Sequence, residues 1–258
     1  MLTDLDHHTI LVTGAGSGIG AAIARLAAGY GAAVAVNDAI AARADETVAA
    51  ITTAGGRAVA APGDVATSAG ATLAVSQAVA AFGGLTGLVN NAGIARTGLL
   101  ESLPEQDWRQ VIDVNLTAAF LCSQAAFGPL SAGGGSIVNM SSLTALAPAP
   151  GAGAYNAAKA GVLGLTQHLA VEWGPHAIRA NAVLPGLIPG TRLTPTGGGP
   201  EELRARRGAV LPLRRVGTPD DVARVVVFFL SDLAGYVTGQ FIAVDGGFGM
   251  ALQTLLPS

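Results

Sequence analysis

The sequence predicts one doubly wound α/β domain, a parallel sheet with helices on both faces. Three observations carry this. Short β-branched apolar runs alternate with longer Ala-rich stretches of helical pattern. The strand candidates are apolar throughout rather than alternating, as in a sheet covered on both faces. No composition shift or long linker divides residues 1–258, so they read as a single domain.

The strand candidates in order are "TILVT" (9–13), "AVAVN" (33–37), "RAVAA" (57–61), "LTGLVN" (85–90), "SIVNM" (136–140), "IRANAVL" (178–184) and "QFIAV" (240–244). Between them lie helical patterns over 18–29, 41–54, 67–82, 105–128, 153–173 and 218–231. The Gly- and Pro-rich stretch from 186 to 212 reads as a long loop with a short helix after Pro200. Ligands of such sheets bind beyond the carboxyl ends of the strands, so the residues following each strand matter most.

The first strand runs into "TGAGSGIG" (Thr13–Gly20) and then directly into a helix. The spacing is not G-x-G-x-x-G. It still provides a tight turn, close backbone approach to a pyrophosphate and free N–H groups at a helix N-terminus. Gly14, Ser17, Gly18, Ile19 and Gly20 are the candidates there. Asp38 follows the second strand, where a carboxylate accepts from the adenosine ribose and repels a 2′-phosphate, favouring NAD over NADP. No basic residue lies within the turn or beside Asp38, and the nearest one downstream is Arg43. Asp38 also suits a helix N-cap, and the two roles are compatible. Asp64 and Val65 follow the third strand, where an adenine edge would lie. After the fourth, the amides of "NNAG" (Asn90–Gly93) either tie sheet backbone together or contact a cofactor.

After the fifth strand come Ser142, then Tyr155, and one helical turn later Lys159, the only lysine in the chain. A tyrosine hydroxyl titrates near ~10, too high for a base at neutral pH. A nearby ammonium lowers that value, as does the positive charge of a bound nicotinamide. Lysine suits the task better than arginine because it is a compact charge that also reaches ribose hydroxyls. Ser142 would hold the substrate oxygen while Tyr155 moves the proton.

With these residues in place the sequence resembles the short-chain dehydrogenase/reductase family, nearly end to end. "TGAGSGIG" is similar to its TGxxxGxG turn, "NNAG" to its sheet-stabilising motif and "YNAAK" to its YxxxK, with Ser142 at the expected distance. Asn115 in "DVNLTAAF", "PG" (Pro185, Gly186) and "VTGQFIAVDGG" also fit. The resemblance implies a seven-stranded Rossmann sheet, commonly in a homotetramer, with a substrate loop at 187–212. It implies Tyr155 as general acid/base, Lys159 as its pKa modulator and ribose ligand, and Ser142 as the substrate-orienting residue. Asn115 would complete a water-mediated proton relay, and Asn91 and Ile188 would line the cofactor site. The expected activity is NAD-dependent interconversion of a secondary alcohol and a ketone. The alternatives are an NADPH-dependent 3-oxoacyl-thioester reductase of the same family and a non-catalytic nucleotide-binding protein. The family's threonine five residues after the proline of PG is here Gly190, followed by Thr191. Either the loop shifts by one residue or that contact is lost.

The bulk numbers narrow the partners. Half the 258 residues are hydrophobic, 12% are charged, and the net charge is −3. Most arginines are scattered singly, which leaves no basic stripe for nucleic acid. The cluster Arg204, Arg206, Arg207, Arg214 and Arg215 reads as a solvated face. The lone Cys122 excludes an internal disulfide and reads as a buried, inert thiol. No signal peptide and no apolar run near ~18 residues is visible, so a soluble cytoplasmic protein is expected. His168, Glu172 and His176 stand at helical spacing, but "WGP" ends the helix before His176, so no metal site is expected. His7 and His8 are expected at the surface, and Trp108 is expected to pack the helix carrying Asn115.

Overall fold

The computed structural model describes residues 4–191 and 200–251. Its strands are β1 (Thr9–Val12), β2 (Ala33–Val36), β3 (Arg57–Ala60), β4 (Gly87–Asn90), β5 (Gly135–Met140), β6 (Ile178–Pro185) and β7 (Phe241–Val244). They form one parallel sheet in the order β3-β2-β1-β4-β5-β6-β7. The order reverses between β1 and β4, whose registers pair Val12 with Val89. That reversal opens a crevice beyond the strands' carboxyl ends.

The helices are α1 (Gly18–Gly29), α2 (Ala41–Thr53), α3 (Ser68–Phe82), α4 (Glu105–Ile112), α5 (Ala118–Ser131), α6 (Gly153–Trp173), α7 (Glu201–Ala209) and α8 (Pro219–Leu230). Two apolar layers flank the sheet. One packs Ile23 of α1 and Val226 and Phe229 of α8 against Ile10, Val12 and Val34; the other packs Val75 of α3 and Cys122 and Ala126 of α5 against Leu11, Leu88 and Ile137. The sheet side chains therefore alternate between two dry faces, which is why the strands read apolar throughout. Each fully buried Ile, Leu or Phe stabilises the fold by ~1.5–3 kcal/mol relative to exposure.

The helix expected over 105–128 extends to Ser131 and is interrupted by a π turn, Asp113–Thr117. By length and composition alone this 27-residue stretch is apolar enough to cross a membrane. Asp113, Asn115, Thr117, Ser123 and Gln124 interrupt it, so that no uninterrupted apolar run of ~18 residues arises, as expected. Here it lies on the sheet, burying Val111, Ala118, Cys122 and Leu130. Trp108 does not pack inward as expected. It sits on the same continuous helix as Asn115, on the outer face, 37% exposed.

The short helix expected after Pro200 is α7. Residues 192–199 of the expected substrate loop lie outside the described residues. Beyond α7, Thr218 and Asp221 form a capping box that starts α8, and Arg215 clamps Asp221 with two bonds of 2.6 and 2.9 Å. That pair holds the Asp221 carboxyl well below the usual carboxylate range, and Arg215 is the one member of the basic cluster drawn into this cap.

Candidate active site

The turn after β1 folds as a cradle because its glycines leave no room for side chains. Gly14 takes φ +60°, and a Cβ there would stand 2.8 Å from Ala92 Cα. A Cβ at Gly20 would meet Asn91 Nδ2 and the Gly14 carbonyl oxygen at 2.5 Å each. The cradle opens into a cleft of about 290 Å³. Gly14, Ser17, Gly18, Ile19 and Gly20 line it, and so do Asp38, Asp64, Val65 and Asn91. Nine expected cofactor residues thus line one cleft at the sheet's crevice, beside the N-terminus of α1, where free N–H groups favour an anion.

Asp38 is 8% exposed, and its carboxylate is oriented by the backbone. Oδ2 accepts from Gly16 N at 3.2 Å and Oδ1 from Ile40 N at 3.0 Å. It is not the N-cap of α2, a position Ile40 occupies without a side-chain bond. Arg43, expected to stand clear, does not. A Cβ on Gly16 would lie 2.5 Å from Arg43 Cβ and 2.6 Å from Asp38 Oδ2, so both side chains press on the same point of the turn. The first turn of α2 swings Arg43 back into the cleft wall, where it joins Asp38.

The two adjacent amides divide the roles left open by sequence. Asn90 Nδ2 donates to Asn139 Oδ1 at 2.8 Å and Ser123 Oγ at 3.0 Å, tying β4 to β5 and α5. Asn91 lines the cleft and braces the glycine turn, its Nδ2 donating to the Thr13 and Gly14 carbonyls at 2.9 and 3.1 Å.

Gly93 of the cleft wall adjoins two members of the expected acid/base set, Asn115 and Lys159; neither they nor Ser142 and Tyr155 are among the cleft-lining residues. A Cβ on Gly93 would lie 2.7 Å from Asn115 Oδ1 and 3.6 Å from Lys159 Nζ. Lys159 donates to the Met140 carbonyl at 2.8 Å, and its Nζ stands 5.6 Å from the centre of the Tyr155 ring. The loop after β5 is pinned to α6 a second time by Ser141 Oγ, which donates to the Lys159 carbonyl at 2.8 Å. Burial pulls Lys159 down to about 8. Burial also raises Tyr155, against a smaller lowering by the Ser142 hydroxyl. Lys159, expected to lower Tyr155, is itself buried and bonded to the Met140 carbonyl. Asn115 sits in the π turn. Its Nδ2 is spent on the Ile94 and Val111 carbonyls at 2.9 and 2.8 Å, while Oδ1 is buried without a partner.

The remaining expectations are distributed as follows. The Ile188 side chain packs in the core against Gly217, and is not among the cleft-lining side chains. Thr191, left open by sequence, lines the cleft facing Gly18. His168 pairs with Glu172 at 2.9 Å on the surface, and His176 meets Phe127 edge-on. His8 is half-buried against Thr86 rather than at the surface, and burial lowers its pKa. Burial pushes the Cys122 thiol up to about 12. The sequence reading missed Arg43 and Thr144 (whose hydroxyl bonds Ser142) because both act across turns that spacing alone does not fold.

Comparison with known proteins agrees with this geometry. Residues 14–249 match the sequence model of a family described as enoyl-(acyl carrier protein) reductase. The chain is 41% identical over 256 residues to 2-(S)-hydroxypropyl-CoM dehydrogenase 3 of Xanthobacter autotrophicus, covering 96% of this chain and 98% of that one. It is 42% identical to cis-4-hydroxycyclohexanecarboxylate dehydrogenase of Sinomonas cyclohexanicum, covering 92% and 95%. Among solved structures it superposes on a gluconate 5-dehydrogenase from Burkholderia cenocepacia in complex with NADP and tartrate. There the TM-score is 0.90 at 32% identity, covering 96% of this chain and 98% of the other.

Proposed function

The chain belongs to the short-chain dehydrogenase/reductase family, and we propose that it is an NAD(H)-dependent oxidoreductase interconverting a secondary alcohol and a ketone. One observation carries the reading: Lys159 adjoins Gly93 of the cleft wall and faces Tyr155, which Ser142 in turn bonds, while Asp38 lines the same cleft. A nicotinamide dinucleotide bound there would take or give a hydride. Ser142 then holds the substrate oxygen, and Tyr155 takes or returns its proton. Lys159 has donors beyond the Met140 carbonyl to offer ribose hydroxyls, and Asn115 Oδ1 offers an acceptor for a relayed proton on the Lys159 side. The named relatives act on small hydroxy compounds, one of them alicyclic, which suits the small apolar residues of "LTALAPAPGAG" beside Ser142. The protein is further read as a soluble cytoplasmic homotetramer.

Replacing Tyr155 by Phe tests the chemistry. Turnover of NAD⁺ with a panel of cyclic and acyclic secondary alcohols is expected to fall by at least about a thousandfold. NAD⁺ affinity, measured by calorimetry, should stay within a few fold. Retained turnover overturns the assignment. A second reading, an NADPH-dependent reductase of 3-oxoacyl thioesters, is favoured by Arg43 standing in the cleft wall beside Asp38. Comparing kcat/KM for the two cofactors decides between them.

A further inference from the structure

Ser142 Oγ receives two hydrogen bonds from one residue, Thr144: its backbone N–H at 3.3 Å and its hydroxyl at 3.1 Å. A serine hydroxyl has two lone pairs and one proton. With both lone pairs occupied, only the proton remains for the reacting side. The frame around this pair is fixed. Ser142 is extended and heads the 3₁₀ turn Leu143–Ala145, while its neighbours Met140 and Ser141 are each bonded to Lys159.

We propose that Thr144 is a positioning residue that commits Ser142 to donate its one proton, to Tyr155 in the free enzyme or to the substrate oxygen when substrate is bound, and prevents it from accepting Tyr155's proton. The role rests on the dehydrogenase reading above. An uncommitted serine could accept a hydrogen bond from the neutral phenol, and bonding to the neutral form opposes ionisation. A committed one stabilises the phenolate and, in either reaction direction, meets the substrate oxygen as a donor. The Thr144 hydroxyl also polarises Ser142, since bonds in a chain strengthen one another. Sequence motifs do not reveal this: the two residues are two apart, in a turn without regular periodicity.

The test exploits the chain's three tyrosines. Ultraviolet difference titration of tyrosinate against the Tyr155→Phe protein subtracts Tyr30 and Tyr236 and isolates Tyr155. Lys159, the charged group facing Tyr155, is the same in every variant. Thr144→Val should raise the Tyr155 titration by about half to one pH unit, the worth of one neutral hydrogen bond, and Thr144→Ser should restore it. The pH profile of kcat/KM for cyclohexanol oxidation by NAD⁺ should move alike, with kcat falling more than KM rises. If Thr144→Val does not fold, Thr144→Ala reads the same bond. An unmoved titration, or failure of serine to restore it, overturns the inference. If at the same time Tyr155→Phe abolishes turnover, the dehydrogenase reading stands. A moved and rescued titration in a wild-type protein that turns over no alcohol or ketone with either cofactor upholds the Thr144 role and sinks that reading.

Discussion

Replacing Lys159 by Met should make the protein more stable at neutral pH while removing its activity. Lys159 is 3% exposed, and burial lowers it from 10.5 to about 8. At about 1.36 kcal/mol per pH unit, holding the ammonium there at pH 7 costs the folded state ~3 kcal/mol. Between about pH 8 and 10.5 the unfolded chain keeps a proton that the folded chain has lost, so wild-type stability rises with pH across that window. Below it the cost is complete. Methionine removes the cost but also the bond to the Met140 carbonyl, a loss of ~1 kcal/mol. The net gain at pH 7 is then roughly 2 kcal/mol, or a rise in Tm of about 4–8 °C. Urea unfolding of both proteins at pH 7 and near pH 10.5, at one protein concentration, measures it. The difference should shift by ~3 kcal/mol on going to the higher pH, leaving the wild type about 1 kcal/mol the more stable there. A variant no more stable than wild type at pH 7, or a gap indifferent to pH, refutes the argument that Lys159 is held there at the expense of stability.

Two further outcomes follow from the cleft. Gly93→Ala places a methyl 2.7 Å from Asn115 Oδ1, whose amide is held by two carbonyls and cannot retreat. Overpacking should cost about 1–3 kcal/mol, read by urea unfolding, and kcat should fall at least tenfold; unchanged kcat would separate Asn115 and Lys159 from catalysis. Asp38→Ser removes the carboxylate while leaving Arg43 in place. The NAD⁺ to NADP⁺ ratio of dissociation constants, by calorimetry, should shift toward NADP⁺ by at least about tenfold, and an unmoved ratio would mean that Asp38 does not set the preference.

The fold was legible because its signals are local. A strand buried on both faces must be apolar along its length, and a glycine turn between such a strand and an Ala-rich helix has few other uses. The boundaries of α1 and α6 fall where the pattern puts them. What the sequence hid is tertiary. Asn90 and Asn91 are identical neighbours whose roles differ because successive residues leaving a strand face opposite ways, one toward β5 and α5 and the other toward the glycine turn. Arg43 reaches Gly16 only once α2 has folded back. The π turn at Asp113–Thr117 has no signature in "DVNLT"; its Asn115 bonds the Ile94 carbonyl, a contact that only the folded chain brings together.

Asn115 and Lys159 show why these residues form one device. The asparagine has used both of its N–H donors on carbonyls, so its orientation is fixed and its acceptor is the group left over. The lysine has used one of its donors on Met140 and has others left over. Each alone is an unfavourable thing to bury: an unpaired carbonyl oxygen costs about 1–3 kcal/mol, and the ammonium costs more. Gly93 is the point at which the two excesses face one another, and its missing side chain is what keeps the space between them polar and open. A polar acceptor and a polar donor on either side of a glycine of the cleft wall are what the proposed proton relay would use. A folding core would have filled that position with a methyl.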